Sequence, residues 1–137
     1  MGDQGQRVEK SDAQWQAELS PEAYRVLRKA GTERAWSGEY VDWHGDGTFG
    51  CRACGNPLFS SATKYESGSG WPSFWAPLSS DAVEMLEDRS FGSVRVEVRC
   101  ARCSSHLGHV FDDGPAPTGQ RFCMNSLSLQ VDEPTAD

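Results

Sequence analysis

The chain has two textures. Up to about residue 31 its apolar positions fall at helical spacing; from Glu39 onward short apolar segments are punctuated by Gly, Pro, Asn and Asp. Ser11 followed by Gln14 is a capping box, which predicts a short helix from about Asp12 to Leu19. Ser20-Pro21 predicts a second helix start, with proline at the first helical position. That helix carries Tyr24, Val26, Leu27 and Ala30 and is expected to stop at Gly31. Asp46-Gly47 predicts a turn before a strand with Thr48, Phe49 and Cys51. In SVRVEVR, residues 93 to 99, Val94, Val96 and Val98 alternate with Arg95, Glu97 and Arg99, the mark of a half-buried antiparallel strand. RFCMNSLSLQV, residues 121 to 131, predicts another strand. One face would show Cys123, Asn125, Leu127, Leu129 and Val131, the other Phe122, Met124, Ser126 and Ser128. The pattern is that of a mainly β domain with short N-terminal helices. Residues 1–10 are expected to form a flexible tail, 11–131 a single domain and 132–137 a C-terminal tail.

Composition narrows the class. A length of 137 residues suits one domain with one core. Five Trp, six Phe and three Tyr give large burial per residue, and fourteen Gly with seven Pro favour turns over long helices. A net charge of −7 argues against nucleic acid as a partner, because phosphate binding needs clustered cations. No apolar run approaches a membrane span, and MGDQGQRVEKSD at the start lacks the apolar core of a signal peptide. The expected compartment is cytoplasmic, where paired cysteines serve more often as metal ligands or redox groups than as structural disulfides.

Four of the five cysteines form two CxxC pairs, Cys51/Cys54 and Cys100/Cys103. A CxxC turn aims two sulfurs at one centre, and two such turns complete a tetrahedron around Zn²⁺. The rival reading is a redox pair, but a thioredoxin-like CxxC opens a helix and neither of these does. Four thiolates would close one structural zinc site, leaving no open position for chemistry.

The fifth cysteine, Cys123, stands alone. It reads either as a small buried hydrophobe or as a nucleophile. Its neighbourhood favours the second: Asn125 lies two residues on, and the turn FDDGPAPTGQR leads straight into it. His106 and His109 follow the second CxxC, and histidine beside cysteine is one way to prepare a thiolate, although satisfied, partly buried histidines are the plainer reading. In SGSGWPSF, Trp71 sits in a Gly-rich loop stiffened by Pro72, a setting that faces a pocket more often than a core.

Taken in order, GTERAWSGEY, CRAC, SGSGWPSF, VRCARCSSHLGHVFDDGPAPTG and RFCMNS resemble the methionine-R-sulfoxide reductases, the B-type enzymes, from about Leu27 to Val131. The resemblance implies two antiparallel sheets in a β-tent, with one structural zinc on Cys51, Cys54, Cys100 and Cys103. It implies a peptide-methionine (R)-S-oxide reductase, an oxidative-damage repair activity that passes through a sulfenic acid. The catalytic thiol maps onto Cys123, and the pocket and acid machinery map onto Trp71, His106, His109 and Asn125. Arg121 and Phe122 would line the substrate pocket. Oxidised proteins or free methionine sulfoxide would be the substrates, and thioredoxin or another thiol the reductant, with the chain acting as a monomer. Cys123 would need a lowered pKa, and Asn125 would fix a histidine or a water.

One departure stands out. Many relatives read SGCGWPSF, with a cysteine that resolves the sulfenic acid; here that position is Ser69. With four thiols on zinc, direct reduction of Cys123 by an external thiol is favoured over surrender of a metal ligand. Two other readings remain, a zinc-held binding module and a thiol–disulfide oxidoreductase built on CxxC.

Overall fold

A computed structural model describes residues 8–89, 92 and 94–132. Residues 1–7 and 133–137 of the two expected tails lie outside the described residues, as does Ser93 at the head of the expected strand. Helix α1, Asp12–Glu18, begins at Ser11 with both halves of the capping box made, and Leu19 is its C-cap. Helix α2, Pro21–Lys29, begins at Ser20, whose hydroxyl accepts the Ala23 N–H. The left-handed residue that ends it is Ala30, at φ 54°, one position before the expected glycine. Gly31 serves a different need: a Cβ there would meet the Arg25 carbonyl at 3.0 Å and its guanidinium at 2.6 Å.

Among the described residues nine strands follow: β1 Thr48–Cys51, β2 Pro57–Ser60, β3 Lys64–Tyr65, β4 Ser73–Phe74, β5 Val83–Asp88, β6 Arg95–Cys100, β7 His106–Phe111, β8 Arg121–Met124 and β9 Leu129–Asp132. They form two antiparallel sheets, in the orders β2-β1-β9 and β3-β4-β8-β7-β6-β5. Phenylalanines join the sheets. Phe49 and Phe59, directly paired across β1 and β2, meet Phe74 and Phe122 of the larger sheet at ring separations of 5.1, 4.5 and 5.7 Å. All four are fully buried, and such aromatic pairs add to the burial energy of each ring. Helix α2 lies against the start of β7. Arg28 Nη1 donates to the Cys103 carbonyl at 2.8 Å and to Ser105 Oγ at 3.0 Å, and the Arg28 guanidinium covers the Trp15 ring at 4.7 Å. Ahead of α1, the Val8 N–H donates to the Arg102 carbonyl at 2.7 Å. Among the described residues, no helix is long and apolar enough to cross a membrane.

Two strand expectations need correction. The run 121–131 is not one strand. It breaks at Asn125, turns through a short 3-10 helix at Ser126–Ser128 and resumes as β9 in the other sheet. Cys123 and Leu129 therefore never share a face. Along β6 the alternation holds only in part. Val98 is fully buried, but Val94 and Val96 are 57% and 36% exposed, while Glu97 is 9% exposed. Val96 lies outside the core cluster, and Glu97 is covered on the opposite face by His106 and Arg99, which satisfy its charge.

Candidate active site

The larger sheet has a core face and an outer face. Strand alternation puts Val98, Val110, Phe122, Met124 and Phe74 on the first, all buried. The outer face carries the row Glu97–His109–Cys123–Ser73 across β6, β7, β8 and β4, and beside it Arg95, Phe111 and Arg121. A cavity of about 300 Å³ opens over that face, with Cys123, His109, Arg121, Asn125 and Ser69 in its wall and Trp71 at one side.

A β-bulge arranges the two histidines. Val98 pairs with Gly108 but Arg99 pairs with His106, so Leu107 is an extra residue in β7. Residues three apart in a regular strand point to opposite faces; the bulge removes that constraint. His106 and His109 thus come together at a ring separation of 5.5 Å. Their surroundings differ. His109 Nε2 meets Asp88 Oδ2 at 2.8 Å, half-buried in the cavity wall. His106 is buried, with Nδ1 at 2.7 Å from Glu97 Oε2, and does not line the cavity. Burial pushes the His106 ring below its ordinary pKa, with Glu97 pulling the other way. Burial would raise Glu97, but hydrogen bonds from Arg99 and His106 outweigh it and hold that carboxyl below its usual range.

Asn125 clamps the bulge. Its backbone N–H and Nδ2 both donate to the Leu107 carbonyl, at 2.9 and 3.1 Å, and its Oδ1 accepts the Glu33 N–H at 2.9 Å. The amide's partners are both backbone groups, the Leu107 carbonyl and the Glu33 N–H. Glu33 is a second hub. Its carbonyl accepts Trp71 Nε1–H at 3.0 Å, and its Oε1 accepts the Leu127 N–H at 2.9 Å. One buried residue therefore fixes the tryptophan wall and the strand break together.

At Gly108 β7 lies close against the backbone of β8. A Cβ there would overlap the Cys123 carbonyl and lie 2.9 Å from Met124 Cα, both backbone atoms. Gly108→Ala should lower the unfolding free energy by about 1–3 kcal/mol or more, as overpacking against unyielding backbone does. Urea unfolding measures this; an unchanged midpoint would contradict the close strand approach.

Cys123 is half-buried. Its Sγ lies 3.7 Å from Ser69 Oγ. Burial pushes the thiol above its ordinary pKa, opposed by the Ser69 hydrogen bond and by Arg121. The lowered pKa expected from sequence is thus not its state in this pocket, because desolvation outweighs the donors around it. Arg121 is held by Asp113 in a two-point pair, at 2.8 and 3.1 Å, and its guanidinium stacks on Phe111 at 4.5 Å. Phe122 points away from the cavity into the core, as its position next to Cys123 in a strand requires.

The four remaining sulfurs form a separate cluster. Cys51 ends β1 of the small sheet and Cys54 lies in the turn after it, while Cys100 ends β6 of the large one and Cys103 lies in the turn after that. All four Sγ atoms lie within 4.8 Å of one another, with Cys51–Cys103 at 3.7 Å and Cys54–Cys100 at 3.6 Å. A tetrahedron of Zn–S bonds of about 2.3 Å has edges of about 3.8 Å. None of the four is in a disulfide. Each turn is built for this: Gly55 and Ser104 take left-handed conformations at φ 83° and 65° and return their N–H groups to the Cys51 and Cys100 carbonyls. Asn56 Nδ2 reaches Cys100 Sγ at 3.7 Å, and Ser105 Oγ lies 3.1 Å from Cys103 Sγ. Hydrogen bonds from Cys100, Cys51 and Cys54 drive Cys103 far below the ordinary thiol range, while Cys51, hydrogen-bonded to Cys100 and Cys103, is driven up. Four thiolates this close need a cation to ionise together, so the donor set fits a zinc site.

The comparisons follow this geometry. A SelR domain matches residues 19–133. The chain is 61% identical over 120 residues to the peptide methionine sulfoxide reductase MsrB of Thiobacillus denitrificans, covering 88% of this chain and 91% of that protein. The chain belongs to the MsrB family. Proteins of the same name from Thioalkalivibrio sulfidiphilus and Acinetobacter baylyi are 58% and 53% identical, covering 87% and 91% of this chain and 87% and 90% of their own lengths. Of the residues sequence reasoning assigned to the MsrB site, Cys123, His109, Asn125, Trp71 and Arg121 meet at one cavity, while His106 lies behind it and Phe122 beneath it. Thr32, Glu33 and Asp88 were missed. Thr32 and Glu33 lie within the GTER motif, which was their only local signal; nothing in the sequence around Asp88 places it beside His109.

Proposed function

We propose that the chain reduces the R epimer of methionine sulfoxide, in oxidised proteins or as the free amino acid, with Cys123 as nucleophile. The observation that carries this is the division of the cysteines: four form one cluster, and the fifth lies in the cavity wall with Trp71, His109 and Arg121. A nucleophile set in a cleft also weighs against a pure binding module.

The Cys123 thiolate attacks the sulfoxide sulfur. The S–O bond breaks as the oxygen passes to Cys123, giving methionine and a Cys123 sulfenic acid. His109, oriented by Asp88, is placed to protonate the departing oxygen. Trp71 offers an aromatic wall to the methyl group, and Asn125 and Glu33 hold the frame. Burial disfavours the Cys123 thiolate, and the donors that oppose it are Ser69 and Arg121. Two equivalents of an external thiol, thioredoxin or a small one, then return Cys123 to the thiol and release water. Cys51, Cys54, Cys100 and Cys103 would hold one zinc, which ties the sheets together and takes no part in the reaction. The enzyme would act as a cytoplasmic monomer.

An assay on resolved R and S sulfoxides with dithiothreitol, with zinc measured in the same sample, tests the reading. Turnover of the R epimer alone at about one zinc per chain is expected; preference for the S epimer would overturn it.

A further inference from the structure

Three serine hydroxyls run from beside Cys123 to its sulfur. Ser73 pairs directly with Cys123 across β4 and β8 and is fully buried. Its Oγ lies 2.7 Å from Ser67 Oγ; Ser67 Oγ donates to Ser69 Oγ at 2.9 Å; and Ser69 Oγ lies 3.7 Å from Cys123 Sγ.

Proton counts and distances together give the direction. A hydroxyl has one proton and two acceptor sites. Ser67 gives its proton to Ser69, which leaves Ser73 as donor in their contact; the Trp71 carbonyl also accepts from Ser73 Oγ, but at 3.3 Å against 2.7 Å to Ser67 it is the weaker acceptor. Ser67 also accepts the Ser69 N–H at 3.2 Å, which fills both of its acceptor sites. Ser69 accepts from Ser67 and from the Trp71 N–H at 3.3 Å, and is likewise full. Its own proton can go only outward, to the Trp71 carbonyl at 3.3 Å or to Cys123. A bond to an ionised acceptor is roughly twice as strong as a neutral one, and donors in a chain polarise one another. Once Cys123 ionises, the proton turns to sulfur.

We propose that Ser73, Ser67 and Ser69 form a directed hydroxyl chain that donates to the Cys123 thiolate, making Ser67 and Ser69 positioning residues for the nucleophile. The proposal rests on the reading of Cys123 as nucleophile. It gives Ser69 a role of its own, independent of how the sulfenic acid is later reduced. The other groups that act on this sulfur are His109 opposite it on β7, Arg121 with Asp113 on its own strand, Tyr65 on β3 and Glu33. None of them is altered by the variants below.

The test is alkylation of Cys123 by iodoacetamide in the zinc-loaded chain over a pH series, read by mass spectrometry on the peptide that carries it. Ser69→Ala should move the midpoint up by about one unit, which is about tenfold less thiolate at any pH below it. Ser67→Ala, which does not touch the sulfur, should move it in the same direction by less, and Ser69→Thr should restore the original midpoint. An unmoved midpoint in folded Ser69→Ala overturns the donor. A shift in Ser69→Ala with none in Ser67→Ala overturns the chain. The readout needs no turnover, so a chain that fails to reduce sulfoxides yet shows these shifts would count against the proposed activity and not against the hydroxyl chain.

Discussion

Cys123→Ser is expected to bring sulfoxide reduction down to background, a loss on the order of a thousandfold or more, while zinc content and unfolding temperature stay as they are. A hydroxyl at neutral pH is a far weaker nucleophile than a thiolate, and removing a nucleophile removes the step itself. The substitution is nearly isosteric on the outer face of β8, where the side chain is half-buried and carries none of the core. A single turnover of the wild-type chain without reductant should leave a sulfenic acid that a specific probe traps, and the serine variant should leave none. Retained turnover in the variant would remove Cys123 from the reaction. A disulfide in the wild-type product would contradict direct reduction, because Ser69 stands 3.7 Å from the sulfur and cannot form one.

Cys51→Ser is expected to do the opposite, abolishing the fold before any question of activity arises. Structural zinc sites contribute apparent binding energies of about 10–16 kcal/mol, comparable to or above the whole stability of a typical domain. The cluster closes β1 of one sheet against β6 of the other. The second turn also anchors the N-terminal segment, since the carbonyls of Arg102 and Cys103 accept from Val8 and Arg28. Circular dichroism and metal analysis of the variant would measure this, and a folded, active, metal-free protein would refute a structural role for the cluster.

Local signals were read well from sequence. The capping box at Ser11, the Ser20-Pro21 start and the two CxxC turns depend on neighbours a few residues away, and the structure has them where the spacing puts them. What sequence did not reveal depends on register. The bulge at Leu107 exists only relative to Val98 and Arg99, so the shared face of His106 and His109 had no signature. The break at Asn125 looks like continued alternation until one sees that its amide is used by Leu107 and Glu33, the latter 92 residues away. Glu97 looked like the wet side of a strand because its partners, Arg99 and His106, cover it only in three dimensions. Phe122 was placed in the pocket for its closeness to Cys123 in the chain, where a strand sends neighbours to opposite faces.

That alternation has a practical consequence. Along Arg121, Phe122 and Cys123 the chain writes chemistry and folding on alternate letters, with the cavity above and the aromatic core below. Substrate range and robustness can therefore be engineered separately. Variation at Arg121, the upward position beside the nucleophile, explores which side chains the pocket accepts, and variation at Phe122 tunes how hot the protein can be run. A library that keeps the two sets apart searches one property at a time.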